Sequence, residues 1–247
     1  MTGKNKYKRF IFPFILAAAG MSFAAFISSC GKTNSGNVTP SSNIQYQVVN
    51  LSPDLGPVSL YINYQNYRNA SYYYPTPSGY FYLTSIQQPF QIRPGQSLIP
   101  GEVTSTATIF SIDSALHTNT RYTLFITGLQ ADSSVNYVFL TDTSPAPAIG
   151  RGKVRFMNAS PLSKNFDVVA NGTMAFPNQQ YLKVSSYIEM PAGSYNFQIF
   201  PAGATTPVYG NLQNVNIQDG RLYTIYTYGL AGRTDSLAFG EGVIVNK

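Results

Sequence analysis

An internal repeat constrains the fold of this chain more strongly than any other feature of its 247 residues. The run VVNLSPDLGPVSLYIN (48–63) aligns without a gap on FMNASPLSKNFDVVAN (156–171), so the Asn-x-Ser-Pro motif that begins at Asn50 recurs at Asn158. Two further pairs keep the same order, namely FQIRPG (90–95) with FQIFPAG (197–203), and YTLFITGL (122–129) with YTIYTYGL (223–230). Because a solenoid needs at least three copies, this repeat predicts two tandem modules.

The segment between the two copies is marked as a boundary by its composition. TSPAPAIGRG (143–152) is rich in proline and glycine, which interrupt regular secondary structure. We therefore assign residues 44–149 to a first module and residues 150–247 to a second. Each module has about 100 residues, a usual size for an independent domain, and we expect residues 150–247 to fold without the first module.

Alternating apolar residues predict that both modules are built from strands. Val58, Leu60 and Ile62 share one face of an extended segment, as do Tyr195, Phe197 and Ile199, and again Tyr223 and Ile225. A period of two indicates half-buried strands. The runs are short, rich in Val, Ile, Tyr, Phe and Thr, and separated by Pro, Gly and Asn, which is typical of an antiparallel sandwich. The predicted fold class is all-β, with two tandem antiparallel Ig-like β-sandwich domains.

One turn in each module can be predicted from the repeat. Asn171-Gly172 lies between two apolar runs, and both residues tolerate the positive φ angles of a type I′ hairpin. Tyr64 occupies the position of this glycine in the first module, so we expect a different turn there.

The N-terminal segment has the layout of a cleaved signal peptide. Four cationic residues precede a nearly continuous apolar or small run from Phe10 to Ile27, and the chain's only cysteine, Cys30, follows in ISSC. A transmembrane helix is the alternative, since about 18 apolar residues can span a bilayer. Pro13, Gly20 and the small residues before Cys30 favour cleavage instead.

The ISSC run resembles a bacterial lipobox, which predicts that Cys30 is lipidated. A lipobox ending in Ser-Ser also resembles lipoproteins of Bacteroidetes. We expect residues 1–29 to be a lipoprotein signal peptide and residues 30–43, which are polar and without periodicity, to form a flexible tether. The predicted location is the cell outer membrane, where the protein is lipid-anchored on the periplasmic or the surface face.

Charge excludes nucleic acid as an expected partner. Removing Lys4, Lys6, Lys8 and Arg9 with the signal peptide lowers the net charge from +6 to +2. The alkaline character therefore belongs largely to targeting. The remaining chain has no concentrated basic face of the kind that binds a phosphate backbone.

Several segments together resemble the DUF4397 family of bacterial envelope proteins. They are NLSPDLGPVSLYIN and NASPLSKNFDVVANG, followed by YIEMPAGSYNFQIF and LYTIYTYGL. Two copies would cover nearly all of the mature chain, although the first copy has Thr84, Ser85 and Ile86 where the second has the family's Pro-Ala-Gly turn (191–193). The resemblance implies an Ig-like sandwich and an extracytoplasmic location, and it implies no established activity.

The sequence contains no motif that predicts catalysis, a cofactor or a metal site. Its one histidine, His117, is expected in a surface loop, and its carboxylates are scattered. Phosphate-binding loops, nucleophile elbows and zinc-ligand spacings do not occur. We predict a non-catalytic binding or structural module. The alternative is an envelope polysaccharide hydrolase whose carboxylate pair is brought together between the modules.

The most unusual composition is that of YINYQNYRNASYYYPTPSGYFY (61–82), which contains eight tyrosines and one charged residue. Tyrosine rings stack on sugars or fill protein interfaces at small entropic cost. Tyr72, Tyr73 and Tyr74 are therefore candidate ligand-binding residues for a glycan or an envelope protein. The alternative is that these rings pack in the core, although three consecutive strand residues cannot all face inward, so at least one should be exposed.

Two further features carry weaker predictions. Arg151, Lys153 and Arg155 share one face of a predicted strand, which we interpret as a solvated face that discourages edge pairing rather than as a site for anionic head groups. Ser114 and Ser236 lie in Asp-Ser-apolar sequences that resemble the O-glycosylation acceptor of Bacteroidetes, so both are candidate modification sites.

Overall fold

The computed structural model describes residues 43–96, 105–207 and 212–247, and these form sixteen strands arranged as two pairs of four-stranded sheets. The predicted all-β sandwich fold is confirmed. No helix in the described ranges is long and apolar enough to cross a membrane. The predicted signal peptide, Cys30 and nearly all of the predicted tether lie outside the described residues.

The first module is built from eight strands. They are β1 (Gln45–Asn50), β2 (Val58–Ile62), β3 (Gln65–Asn66), β4 (Phe81–Tyr82), β5 (Phe90–Pro94), β6 (Phe110–Ile112), β7 (Arg121–Thr127) and β8 (Asn136–Thr141). One sheet has the order β4-β1-β7-β8 and the other has the order β3-β2-β5-β6.

The second module repeats this arrangement. Its strands are β9 (Arg151–Asn158), β10 (Phe166–Ala170), β11 (Thr173–Gln179), β12 (Ile188–Pro191), β13 (Gly193–Pro201), β14 (Leu212–Ile217), β15 (Leu222–Tyr228) and β16 (Gly240–Val245). The sheet orders are β12-β9-β15-β16 and β11-β10-β13-β14, which match those of the first module strand for strand.

One strand pair in each module is parallel, which a purely antiparallel sandwich would not contain. β1 pairs with β7 in parallel, with Gln45 opposite Arg121, and β9 pairs with β15 in parallel, with Leu222 opposite Lys153. All other strand pairs in the described ranges are antiparallel. The first strand of each module therefore pairs with the seventh, a contact that no local sequence pattern specifies.

Each sandwich has its own core, formed by the alternating residues that the sequence indicated. Val58, Leu60 and Ile62 are buried in the first core. Phe197, Ile199 and Ile225 are buried in the second. Burial of large apolar side chains contributes about 1.5 to 3 kcal/mol each, so the alternation predicted from sequence is also what stabilises each pair of sheets.

A third apolar cluster joins the two modules into one compact unit that spans residues 41–247. The sheets that contain β1 and β9, called here the inner sheets, face each other, and the cluster includes Phe125 from one and Tyr226 from the other. Their ring centroids are 5.6 Å apart. Because each inner sheet is covered on both faces, β7 and β15 are buried along almost their whole length. Parallel strands typically occur in such doubly covered sheets.

The matching motifs of the repeat form one structural device in each module. Ser52 Oγ donates a hydrogen bond to the carbonyl of Gly128 at 2.8 Å, and Ser160 Oγ donates to the carbonyl of Gly229 at 2.6 Å. Both glycines have positive φ, and a Cβ at either position would collide with a backbone carbonyl. The Asn-x-Ser motif therefore holds the end of the first strand against the glycine turn after the seventh, and its role is structural.

The prediction for the hairpin turns is correct in the second module and wrong in the first. Asn171 and Gly172 have φ angles of 47° and 82°. Asn63 and Tyr64 have φ angles of 49° and 64°, so the first module uses the same two-residue turn. Tyr64 therefore holds a left-handed backbone that disfavours side chains with a Cβ, because the pairing of β2 with β3 leaves no room for a longer loop.

Candidate functional site

The two modules differ most at one edge of the sandwich. In the second module β11 and β12 are seven and four residues long, whereas β3 and β4 have two residues each. Arg68 and Asn69 have φ angles of 63° and 49°, which turn the chain away from the sheet directly after β3. The space that longer strands would fill is left open between β3 and the segment after β4.

This opening is a cleft of about 780 Å³, called here the first-module cleft. Its volume lies in the range of about 300 to 1,000 Å³ that is usual for small-ligand sites. Apart from Ile62, the described residues that line it carry amide, hydroxyl, phenol or guanidinium groups. They are Ile62, Asn63, Gln65, Asn66, Tyr67, Arg68, Tyr82, Thr84, Ser85 and Gln87.

Hydrogen bonds tie the two walls of the cleft together. The Tyr67 hydroxyl donates to the carbonyl oxygen of Tyr82 at 2.7 Å and accepts from the backbone N–H of Thr84 at 3.2 Å. At the hairpin tip, Asn63 Nδ2 donates to Gln87 Oε1 at 3.0 Å. These bonds connect segments that are about 15 to 24 residues apart in sequence, so the cleft is held open in a defined shape.

The cleft is supported from below by the aromatic core. Phe81 is buried and stacks on Tyr67, with ring centroids 5.8 Å apart, and on Tyr72, with centroids 6.1 Å apart. The guanidinium carbon of Arg68 lies 5.3 Å from the Phe81 ring centroid. A cation in this position over an aromatic ring is attracted by the quadrupole of the ring, which orients Arg68 at the cleft.

One cation and one aromatic ring of the cleft are accessible to a ligand. Arg68 is solvent-exposed, and none of the ion pairs in the described part of the chain includes it. Tyr82 is 52% exposed and adds an accessible ring at the cleft wall. The site therefore combines one free cation and one aromatic surface with neutral polar side chains.

One family model matches the chain twice. The model of a family described as "Domain of unknown function (DUF4397)" matches residues 44–165 and 152–241. The chain belongs to the DUF4397 family. No curated protein matches this DUF4397 chain. Among solved structures, the Bacillus anthracis TIE protein is similar at 10% identity and a TM-score of 0.22, over 81% of this chain and 43% of that chain.

The three consecutive tyrosines of the first DUF4397 module do not form one surface. Tyr72 is buried in the core, where burial raises the pKa of its hydroxyl to about 12. Tyr74 packs edge-on against Tyr228 of the other module, with centroids 5.8 Å apart. Tyr73 is 39% exposed. The expectation that at least one would be exposed is confirmed, and the residues that line the cleft are others of the same segment.

The predicted solvated row on β9 is wrong for two of its three residues. Arg155 is 5% exposed and pairs with the buried Asp142, which comes from the first DUF4397 module. Lys153 Nζ lies 3.7 Å from Glu189 Oε1 and donates to the carbonyl of Pro145. Only Arg151 is exposed to solvent. The first module therefore covers this face of β9 at Arg155, whereas the face is open to solvent at Arg151.

A buried polar network surrounds the Asp142–Arg155 pair between the two DUF4397 modules. Asp142 Oδ2 accepts hydrogen bonds from Thr123 at 2.6 Å and Tyr80 at 2.7 Å. Arg155 Nε donates to Thr224 Oγ1 at 2.9 Å. Burial raises the pKa of Asp142, while the Arg155 guanidinium and the two hydroxyl donors lower it. We call this set of residues the interface network, and it joins modules rather than binding a ligand.

The remaining predicted residues lie apart from the cleft. Ser114 is half-buried in the loop between β6 and β7, and Ser236 is exposed in a turn between β15 and β16. His117 is exposed, as expected. Within the described ranges, no group of three or more His, Cys, Asp or Glu residues could hold a metal ion.

One further carboxyl has an unusual environment. Glu241 on β16 is half-buried, and burial raises the pKa of its carboxyl to about 7. Its Oε1 atom makes no hydrogen bond to any described residue. Its cross-strand neighbour is Thr227, so Glu241 belongs to the second DUF4397 module and not to the cleft. Nothing in the composition of the sequence distinguished it from the other carboxylates.

Proposed function

We propose that this chain is a lipid-anchored cell-envelope protein that acts as a non-catalytic binding module, with the first-module cleft as its ligand site. The observation that carries the proposal is the difference between the two repeats. The second module continues its edge strands, whereas the first shortens both and keeps a polar cleft between them.

The way the cleft is built also supports a binding role. Tyr64 and Arg68 have left-handed backbone angles, and each such angle in a residue other than Gly or Asn costs of the order of 1 kcal/mol or more. A protein that needed only a stable scaffold could continue β3 as a longer strand, as the second module continues β11 to Gln179. Strained backbone that persists beside an open polar cleft is typical of binding sites.

The proposed anchor places this cleft at the outer membrane. A lipidated Cys30 followed by the polar segment 31–43 would hold the two modules near the membrane and leave the cleft accessible. The periplasmic and the surface face of the membrane are both compatible with this arrangement. The partners available at either face are envelope glycans and envelope proteins. The cleft lining is almost entirely polar, which favours a glycan because a glycan presents many hydroxyl groups.

Blocking the cleft tests this proposal. Thr84 is exposed and lines the cleft, so Thr84→Trp should fill the cleft without disturbing the core. Met174→Trp is a matched control, because Met174 is 51% exposed on β11 of the second module. We expect the full chain in detergent to retain polysaccharide from an envelope extract, Thr84→Trp to lose this retention, and Met174→Trp to keep it.

The alternative predicted from the sequence is a hydrolase with a carboxylate pair. Such an enzyme needs two carboxyl groups about 5 to 10 Å apart on either side of the bond it cleaves. The described residues that line the cleft include no Asp or Glu. Measuring reducing ends released from the retained polysaccharide distinguishes the two functions, because release by the wild-type chain that Thr84→Trp abolishes would contradict the binding module.

A further inference from the structure

We infer that the ligand of the first-module cleft is an acidic saccharide, whose carboxylate pairs with Arg68 while its hydroxyl groups bond to the amide side chains of the cleft. This inference rests on the proposed function, since it names the class of ligand for the same site. It assigns recognition chiefly to Arg68 and Tyr82 rather than to the consecutive tyrosines at 72–74.

The charge of the cleft favours an anionic ligand. Arg68 is the only charged residue among those that line the cleft in the described part of the chain, and it has no carboxylate partner there. A guanidinium presents parallel N–H donors that match a carboxylate in a bidentate pair. The Phe81 ring beneath Arg68 and the left-handed backbone at Arg68 fix where this fork lies.

The neutral polar groups of the cleft fit the hydroxyl groups of a sugar. Gln65, Asn66 and Gln87 carry amides that both donate and accept, and Thr84 and Ser85 add hydroxyl groups. Groups that both donate and accept hydrogen bonds match sugar hydroxyl groups, which do the same.

The aromatic wall of the cleft suits a sugar ring. Tyr82 is half exposed, and the hydrogen bond from the Tyr67 hydroxyl to its carbonyl oxygen fixes its backbone at the cleft wall. A phenol ring offers a flat apolar face with a polar edge, which matches a pyranose that has an apolar face and peripheral hydroxyl groups. The cleft thus provides stacking, hydrogen bonding and one charge within about 780 Å³.

The test uses uronic-acid oligosaccharides as probes. Oligosaccharides from polygalacturonate, alginate and hyaluronan are titrated into the full chain in detergent, each beside its carboxyl-reduced counterpart, and heat of binding is measured. We expect at least one acidic probe to bind, its reduced counterpart to bind at least about tenfold more weakly, and the affinity to fall with added salt.

Two variants assign the charge dependence to Arg68. Arg68→Gln should lower the affinity for the acidic probe at least about tenfold and leave the affinity for the carboxyl-reduced probe unchanged. Arg68→Lys should lower the affinity for the acidic probe less, because lysine keeps the charge but lacks the bidentate fork. Arg151→Gln is the control, since it removes one exposed charge from the second module. Equal melting temperatures of wild type and Arg68→Gln show that the fold is intact.

Each outcome decides the inference. Binding that Thr84→Trp blocks but that neither carboxyl reduction nor Arg68→Gln affects overturns the acidic-saccharide assignment and leaves the binding module standing. Failure of every acidic probe while the envelope extract is still retained has the same meaning. Absence of binding to all probes and to the extract contradicts both the inference and the proposed function.

Discussion

Replacing Asp142 by asparagine should destabilise both modules together. Asp142 is the buried counterion of Arg155, and it also accepts hydrogen bonds from Thr123 and Tyr80. The asparagine side chain would keep the shape of the carboxylate and remove its charge. The Arg155 guanidinium, only 5% exposed, would then remain between the modules without a carboxylate.

The expected cost follows from this burial. Removing one partner of a buried ion pair typically costs about 3 to 5 kcal/mol, because the remaining charge is uncompensated. A typical protein of this kind has a total stability of about 5 to 15 kcal/mol, so the loss should be large. Replacing both residues, as Asp142→Asn with Arg155→Met, should recover most of it, since no buried charge is then left.

Urea unfolding of the full chain in detergent measures this effect. We expect one cooperative transition for the wild type, because the third apolar cluster and the interface network join the modules. Asp142→Asn should lower the midpoint strongly. Asp235→Asn is the matched control, because its pair with Arg233 is half exposed on both sides and should contribute little. A cost for Asp142→Asn as small as that of Asp235→Asn would refute the argument.

Four other changes test separate parts of the structure. Tyr64→Gly should raise the unfolding free energy by about 0.5 to 1 kcal/mol in urea unfolding, because relief of the left-handed strain exceeds the extra backbone entropy that glycine loses on folding. Gly172→Tyr in the other hairpin should lower the unfolding free energy in the same measurement. Glu241 should make the unfolding free energy fall as pH rises from about 4.5 to about 7, because the folded state binds the carboxyl proton more tightly than the unfolded chain does. Glu241→Gln should remove this slope in unfolding curves taken across that range, and an unchanged slope would assign it to another group. Cys30→Ser should abolish both labelling by a radioactive fatty acid and cleavage of the signal peptide, whereas wild type should stay with the membrane through high-salt washing, since acyl chains resist salt and electrostatic attachment does not. The fragment 150–247 should show a cooperative unfolding transition, because its core is complete, but at lower stability than the full chain, because Met157, Tyr226 and Ile244 lose their cover.

Several features of the fold were predictable because they depend on local sequence. Alternation such as Val58, Leu60 and Ile62 follows from the two-residue period of a strand. The Asn171-Gly172 turn follows from the φ angles that these residues tolerate. The repeat required two copies of one sandwich, since the same local patterns in the same order specify the same strands.

One signal for the contact between modules is present in the sequence. VVNL (48–51), TLFIT (123–127) and TIYTY (224–228) are almost continuously apolar or carry only Thr and Asn, without charged residues on either face. Such runs are typical of strands that are covered on both sides. They indicated the inner sheets, although they did not indicate that each inner sheet would cover the other.

The sequence by itself determined that the chain forms strands, that it forms two similar sandwiches, and that Asn171-Gly172 makes a hairpin turn, because these depend on residues close together in the chain. Only the tertiary structure decided that β1 pairs in parallel with β7, that Arg155 is buried against Asp142, and that the cleft is bounded by β3 on one side and the segment after β4 on the other. Each of these depends on segments that are far apart in sequence, and the free energy of such contacts depends on the whole packing arrangement rather than on any local pattern. For this reason tyrosine content could single out the segment 61–82, whereas which of its rings are buried and which exposed was set by the sheets packed around it.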